Sequence, residues 1–106
     1  MNKRKIRQIT SNYEEKLINS LHDKKAAATY LQVALEEYQK DNDPHALLLA
    51  LRHVAEAQGG LSLLARKTNL NRESLYKTLS SNGNPKLQTL GALLKGLGFQ
   101  LSIKAA

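Results

Sequence analysis

The segment from Gly60 to Gly83, GLSLLARKTNLNRESLYKTLSSNG, constrains this chain more than any other stretch, because it reads as two short helices joined by a tight turn. Such a pair needs a small residue where its helices cross, and Ala65 occupies that place. Four residues on, the turn needs a residue that tolerates a positive φ, usually Gly and sometimes Asn, and here it is Asn69. Six residues further, an apolar side chain must lock the second helix against the first, and Leu75 stands there. Leu61, Leu64, Leu70 and Leu79 complete an inward face at helical intervals. Ser62 and Asn71 sit where each helix wants an N-cap.

That spacing is a helix-turn-helix, and its outward residues turn the reading toward double-stranded DNA. Arg72, Glu73, Tyr76 and Lys77 lie on the outer face of the second helix and are the candidates for base-edge contacts. Ser62, Asn71, Ser80, Asn82, Asn84 and Lys86 flank it as candidate phosphate contacts. Glu73 either accepts from a cytosine amino group or restrains Lys77 one turn on. An ordinary packed helical hairpin has similar spacing; the basic outer face is what separates the two readings.

Charge distribution agrees. The chain carries a formal net charge of +7 over 106 residues, enough for one domain. Residues 1–11 contribute +4 through Lys3, Arg4, Lys5 and Arg7 and read as a flexible basic start. Residues 12–41 form N-terminal helices within an acidic stretch: residues 12–44 hold four basic and seven acidic side chains, or −3. Residues 45–106 hold eight basic and two acidic, or +6. A basic half suits a polyanion, and an acidic half suits a basic protein partner or is simply a solvated face. Tyr13, Leu17, Tyr30 and Tyr38 could form an apolar edge for such a partner.

Helix signals divide the rest. Ser11 with Glu14 has capping-box form and opens a first helix; Asp23 caps a second, to about Lys40. Asp43 and Pro44 start a third, with Leu47, Leu48, Leu51, Val54 and Ala55 on its apolar stripe, ended by Gly59 and Gly60. Asn84 with Pro85 restarts a helix that Gly98 stops, and Gly91 and Gly96 suit close helix packing. The closing FQLSI alternates, placing Phe99, Leu101 and Ile103 on one side like a strand. Since no second strand is offered, antiparallel pairing with another copy is the economical way to satisfy its backbone, and gives a homodimer. The expected fold is therefore all-α, about six short helices around a central helix-turn-helix of lambda-repressor type, with a short C-terminal β-strand in the domain of residues 42–106.

Other chemistry is not assembled. With no Cys, neither a disulfide nor a thiolate metal site is available. His22, His45 and His53 have no ligand companions and read as exposed or helix-edge residues, so no metal, cofactor or catalytic group is expected. No apolar run approaches the ~20 residues of a membrane span, and the start has no signal-peptide core; a cytoplasmic location follows as an expectation.

Three blocks together carry a family resemblance: Thr29-Tyr30-Leu31 with Ala34-Leu35-Glu36-Glu37; the helix end ALRHVAEAQGG; and LYKTLSSNGNP. Over about residues 12–104 the chain closely resembles addiction-module antidote proteins, the HigA-like antitoxins whose genes sit beside small RelE/ParE-type toxins. It departs from the usual alanine before Tyr30. The resemblance implies a DNA-binding antitoxin that neutralises a co-expressed toxin and represses its own operon, with the toxin as the basic partner of the acidic half. A stand-alone phage-type repressor and a protein-only inhibitor with weak DNA binding are the alternatives.

Overall fold

The structure is a computed structural model that describes residues 3–80 and 83–106. Among these residues it is all helical: α1 Lys3–Ser20, α2 Lys24–Asp41, α3 His45–Ala57, α4 Leu61–Thr68, α5 Arg72–Thr78 and α6 Leu87–Gly96. The organising element is α3, whose Leu47, Leu48, Ala50, Leu51, Val54 and Ala55 are all buried. Helices α1, α2 and α4 pack on it, and α4 in turn carries α5 and α6. A helix buried on several sides needs apolar residues beyond one stripe, which the LLLALRHVAEA run supplies.

Helix ends follow local chemistry closely. Asp23 accepts a hydrogen bond from the Ala26 N–H at 3.1 Å and starts α2. Asn42, in the left-handed region at φ 58°, ends it, and Asp43 caps α3 by accepting from the His45 N–H at 3.0 Å. After α3 the chain reverses through Gly59 and Gly60, both at positive φ, while the Gly60 N–H donates to Ala55 O at 2.8 Å. The same closure ends α6: Gly98 has φ 90°, its N–H reaches Lys95 O at 3.0 Å, and the Phe99 N–H reaches Leu94 O at 2.8 Å. These are Schellman motifs, and their left-handed residue is glycine because a Cβ there is strained. The Lys24 ammonium donates to Leu97 O, tying the start of α2 to the end of α6.

Several expectations need correction. Helix α1 runs unbroken from Lys3 through Ser11, since KRKIRQ consists of adequate helix formers and contains no breaker; Ser11 with Glu14 is not its start. Helix α4 opens from Gly60, whose carbonyl accepts from the Leu64 N–H at 3.2 Å, so Ser62 lies inside the helix rather than capping it. Helix α6 begins at Leu87, because Lys86 stays extended at ψ 157°; Asn84 and Pro85 precede it in irregular chain. A Cβ on Gly96 would crowd Thr68 and Leu64, which confirms close packing there, whereas Gly91 faces open space. His53 is neither exposed nor at a helix edge: it is 8% exposed, within α3.

The C-terminal strand is also absent among the described residues. Phe99 packs on the core, but residues 99–106 carry neither helix nor ladder. A strand is defined by its partner, and the helices of one chain offer none.

Candidate nucleic-acid interface

Two short helices form the candidate site. Helix α4 buries Leu64 and turns half-buried Leu61 and Ala65 toward the core; α5 buries Leu75, and Leu79 just beyond it is buried as well. The connection is three residues long. Asn69 adopts φ 58° and ψ 21°, Leu70 tucks against the core, and Asn71 is extended. Thr68 ties the turn together, its hydroxyl donating to Leu64 O at 2.8 Å and accepting from the Leu70 N–H at 3.3 Å. The Asn71 side chain accepts from the Glu73 N–H at 2.7 Å and from the Ser74 N–H at 3.4 Å, so two free donors of α5 are satisfied by one cap.

With Leu75 and Leu79 turned inward, helical geometry sends Arg72, Glu73, Tyr76 and Lys77 outward, and all four are exposed. Tyr76 is 54% exposed, too much for a core aromatic. Glu73 in the first turn and Lys77 in the last both complement the helix dipole. Among the described residues no ion pair joins them, so the Glu73 carboxylate is not occupied by Lys77.

The flanking residues divide. Ser62, Asn84 and Lys86 are exposed. The Asn71 side chain is engaged as a cap, and the Ser80 hydroxyl donates to Lys77 O at 2.7 Å, so both have their local partners within the protein. Asn82 lies outside the described residues. Two further exposed cations, Arg66 and Lys67, close the last turn of α4 beside the turn; charge alone could have picked them out.

A second surface lies between α1 and α2. The four residues read as one apolar edge separate: Tyr13 is 70% exposed, whereas Leu17, Tyr30 and Tyr38 are half-buried against the core. Leu17, Tyr30 and exposed Val33 line a shallow groove there; Val33 escaped the sequence reading because it lies off the buried face of α2. The Tyr30 hydroxyl meets His53 Nδ1 at 2.9 Å, which gives the buried imidazole its partner. Burial chiefly, and the nearby Tyr13, push the Tyr30 phenol above its ordinary pKa. The three residues expected to pair two copies grade outward along the tail, from half-buried Phe99 through exposed Leu101 to fully exposed Ile103.

Among the described residues no group of three His, Asp or Glu side chains could hold a metal ion, and no helix is long and apolar enough to cross a membrane. A family model described as a probable addiction module antidote protein matches residues 12–105. An uncharacterized protein of Haemophilus influenzae is 34% identical over 74 residues, covering 70% of this chain and 75% of that one. No solved structure matches significantly.

Proposed function

Since the chain belongs to the addiction-module antidote family, we propose that it is a HigA-like antitoxin that binds its own operator through α4 and α5 and neutralises a RelE/ParE-type toxin. The observation that carries the DNA half is the capped pair with its outward basic helix: α5 is fixed by Leu75 and Asn71 while Arg72, Glu73, Tyr76 and Lys77 stay free. In this reading α5 enters the major groove, where an Arg or Lys reads guanine and a carboxylate reads the cytosine amino group. Exposed Ser62, Asn84 and Lys86, with Arg66 and Lys67 at the end of α4, hold the phosphates to either side. Binding as a homodimer presents two such helices to half-sites about 34 Å apart and lets the antitoxin repress its own operon.

For the toxin half, the supporting features are the groove between α1 and α2 and the charge around it. Tyr13 and Val33 are large apolar residues in solvent, and Glu14, Glu15, Glu36 and Glu37 are exposed on the same two helices. An apolar anchor with an acidic rim suits a basic protein partner. The antitoxin works as a binding protein in the cytoplasm and catalyses nothing.

The test uses the full chain in two assays. It should retain a fragment of its own promoter against competitor DNA, and it should restore growth when the adjacent toxin gene is induced. Tyr13→Asp with Val33→Asp should abolish rescue yet keep promoter binding; loss of both activities together, or of neither, refutes the division of labour.

A further inference from the structure

The tail beyond Gly98 encloses more than it fills. Residues 99–102 form one wall of an open pocket of ≈ 120 Å³ that is lined elsewhere mainly by leucines, among them Leu31 and Leu35 of α2, Leu47 of α3 and Leu94 of α6, together with Gln32. Two residues past Leu101, Ile103 stands fully exposed. The chain thus carries a largely leucine-lined pocket and, one residue beyond its tail wall, an aliphatic side chain in solvent.

We infer that the occupant is Ile103 of a second copy, delivered by antiparallel pairing of two tails centred on Leu101. This rests on the homodimer proposed above and adds to it a register and a seat. Pairing about Leu101 sets Leu101 against its own counterpart, and Phe99 against Ile103 in each direction, so every apolar residue of the alternation meets another. A centre one residue later would set Phe99 against Ala105. A centre one residue earlier would bring Leu97, the buried C-cap of α6, into the ladder.

The backbone favours the same register. The Phe99 N–H is already committed to Leu94 O, and among the described residues no other backbone bond holds residues 100–106. Residue 99 therefore cannot exchange both bonds with a partner strand, so the odd positions are non-hydrogen-bonded pairs and Gln100 with Ser102 carries the ladder. Non-hydrogen-bonded pairs bring their side chains closest. Ile103 of the second copy then lies against Phe99 at the cavity mouth, and the two-fold axis repeats the insertion on the other copy.

Because the natural chain has no cysteine, single cysteines report this register directly. The full-length protein would be studied by sedimentation velocity, and Leu101→Cys, Gln100→Cys and Ser102→Cys by mild oxidation and non-reducing electrophoresis. The wild type should sediment as a dimer, and Ile103→Glu should weaken dimerisation at least tenfold. Leu101→Cys should cross-link to itself, since directly opposed residues fall within disulfide reach. Gln100→Cys and Ser102→Cys should each fail alone and cross-link when mixed. A wild-type monomer would overturn the homodimer and this inference with it. A dimer in which Gln100→Cys joins to itself, or Leu101→Cys does not, would overturn the register and seat alone. A dimer indifferent to Ile103→Glu would remove Ile103 from the cavity.

Discussion

The junction between α2 and α3 and the junction between α4 and α5 are built alike and present different surfaces. Each ends its first helix on an asparagine in the left-handed region, Asn42 at φ 58° and ψ 19°, Asn69 at φ 58° and ψ 21°. Each then supplies a side chain that accepts from the backbone two residues on, Asp43 to His45 and Asn71 to Glu73. Beyond the turns they diverge. The first pair is 18 and 13 residues long, buries a broad interface and shows acidic residues to solvent; the second is 8 and 7 residues long and shows Arg66, Lys67, Arg72 and Lys77. Turn chemistry thus fixes how helices meet, while the outward residues decide what charge the pair presents to solvent.

The largest expected effects are where each helix pair enters the shared core, and would break the comparison if they differed in kind. Leu51 of α3 and Leu75 of α5 are each 1% exposed. Leu51→Ala and Leu75→Ala should each cost about 2 to 5 kcal/mol by denaturant unfolding. Since Leu75 is the buried residue of α5, its loss should also release that helix, visible as faster amide exchange over residues 72–78 than in Leu51→Ala. Equal exchange in the two variants would mean that α5 is held by something other than Leu75.

A smaller effect tests whether the junctions are equivalent. Asn42→Ala and Asn69→Ala should each cost about 1 to 2 kcal/mol, because a Cβ-bearing residue without a local hydrogen-bonding group is strained in the left-handed region. Asn→Gly at either site should be tolerated. A cost at Asn69 alone would show that the α2–α3 turn is fixed by packing and not by its asparagine.

The smallest effect concerns two tyrosines. Tyr30→Phe leaves His53 Nδ1 without its partner and should cost about 1 kcal/mol at neutral pH, whereas Tyr76→Phe, on the exposed face of α5, should be neutral within about 0.5 kcal/mol. Because the Tyr30 pKa is raised above 10.0 in the fold, its protonated form favours the native state. Its contribution is present below the unfolded phenol pKa and is lost as pH rises through the folded one. Unfolding free energies measured from pH 8 to 11 should therefore fall less steeply in Tyr30→Phe than in wild type. Parallel curves would contradict the burial of that hydroxyl.

What was legible in the sequence was whatever a single residue's conformation decides. Asn69, Asp23, Asn71, Gly60 and Gly98 all announced themselves through dihedral or capping demands, and all stand where those demands put them. Where two signals compete within a turn, local reading loses: Gly60 starts α4 ahead of Ser62, and extended Lys86 delays α6 past Asn84 and Pro85. His53 was illegible because its burial depends on α2 lying across α3 and on Tyr30 reaching it from 23 residues away. The outward face of α5 was readable from periodicity. The groove of Tyr30 and Val33 was not, since it exists only once α1 and α2 have both packed on α3.

The central claim is that α5 reads DNA, and fluorescence anisotropy on the chain's own promoter at several salt concentrations tests it most directly. Arg72→Ala and Lys77→Ala should each weaken specific binding by about 1 to 3 kcal/mol where the contact is to a base. A phosphate contact should instead weaken all sequences nearly equally and flatten the salt dependence. Lys40→Ala, on the exposed end of α2, should change neither. Unchanged affinity and salt slope in both α5 variants would contradict the account.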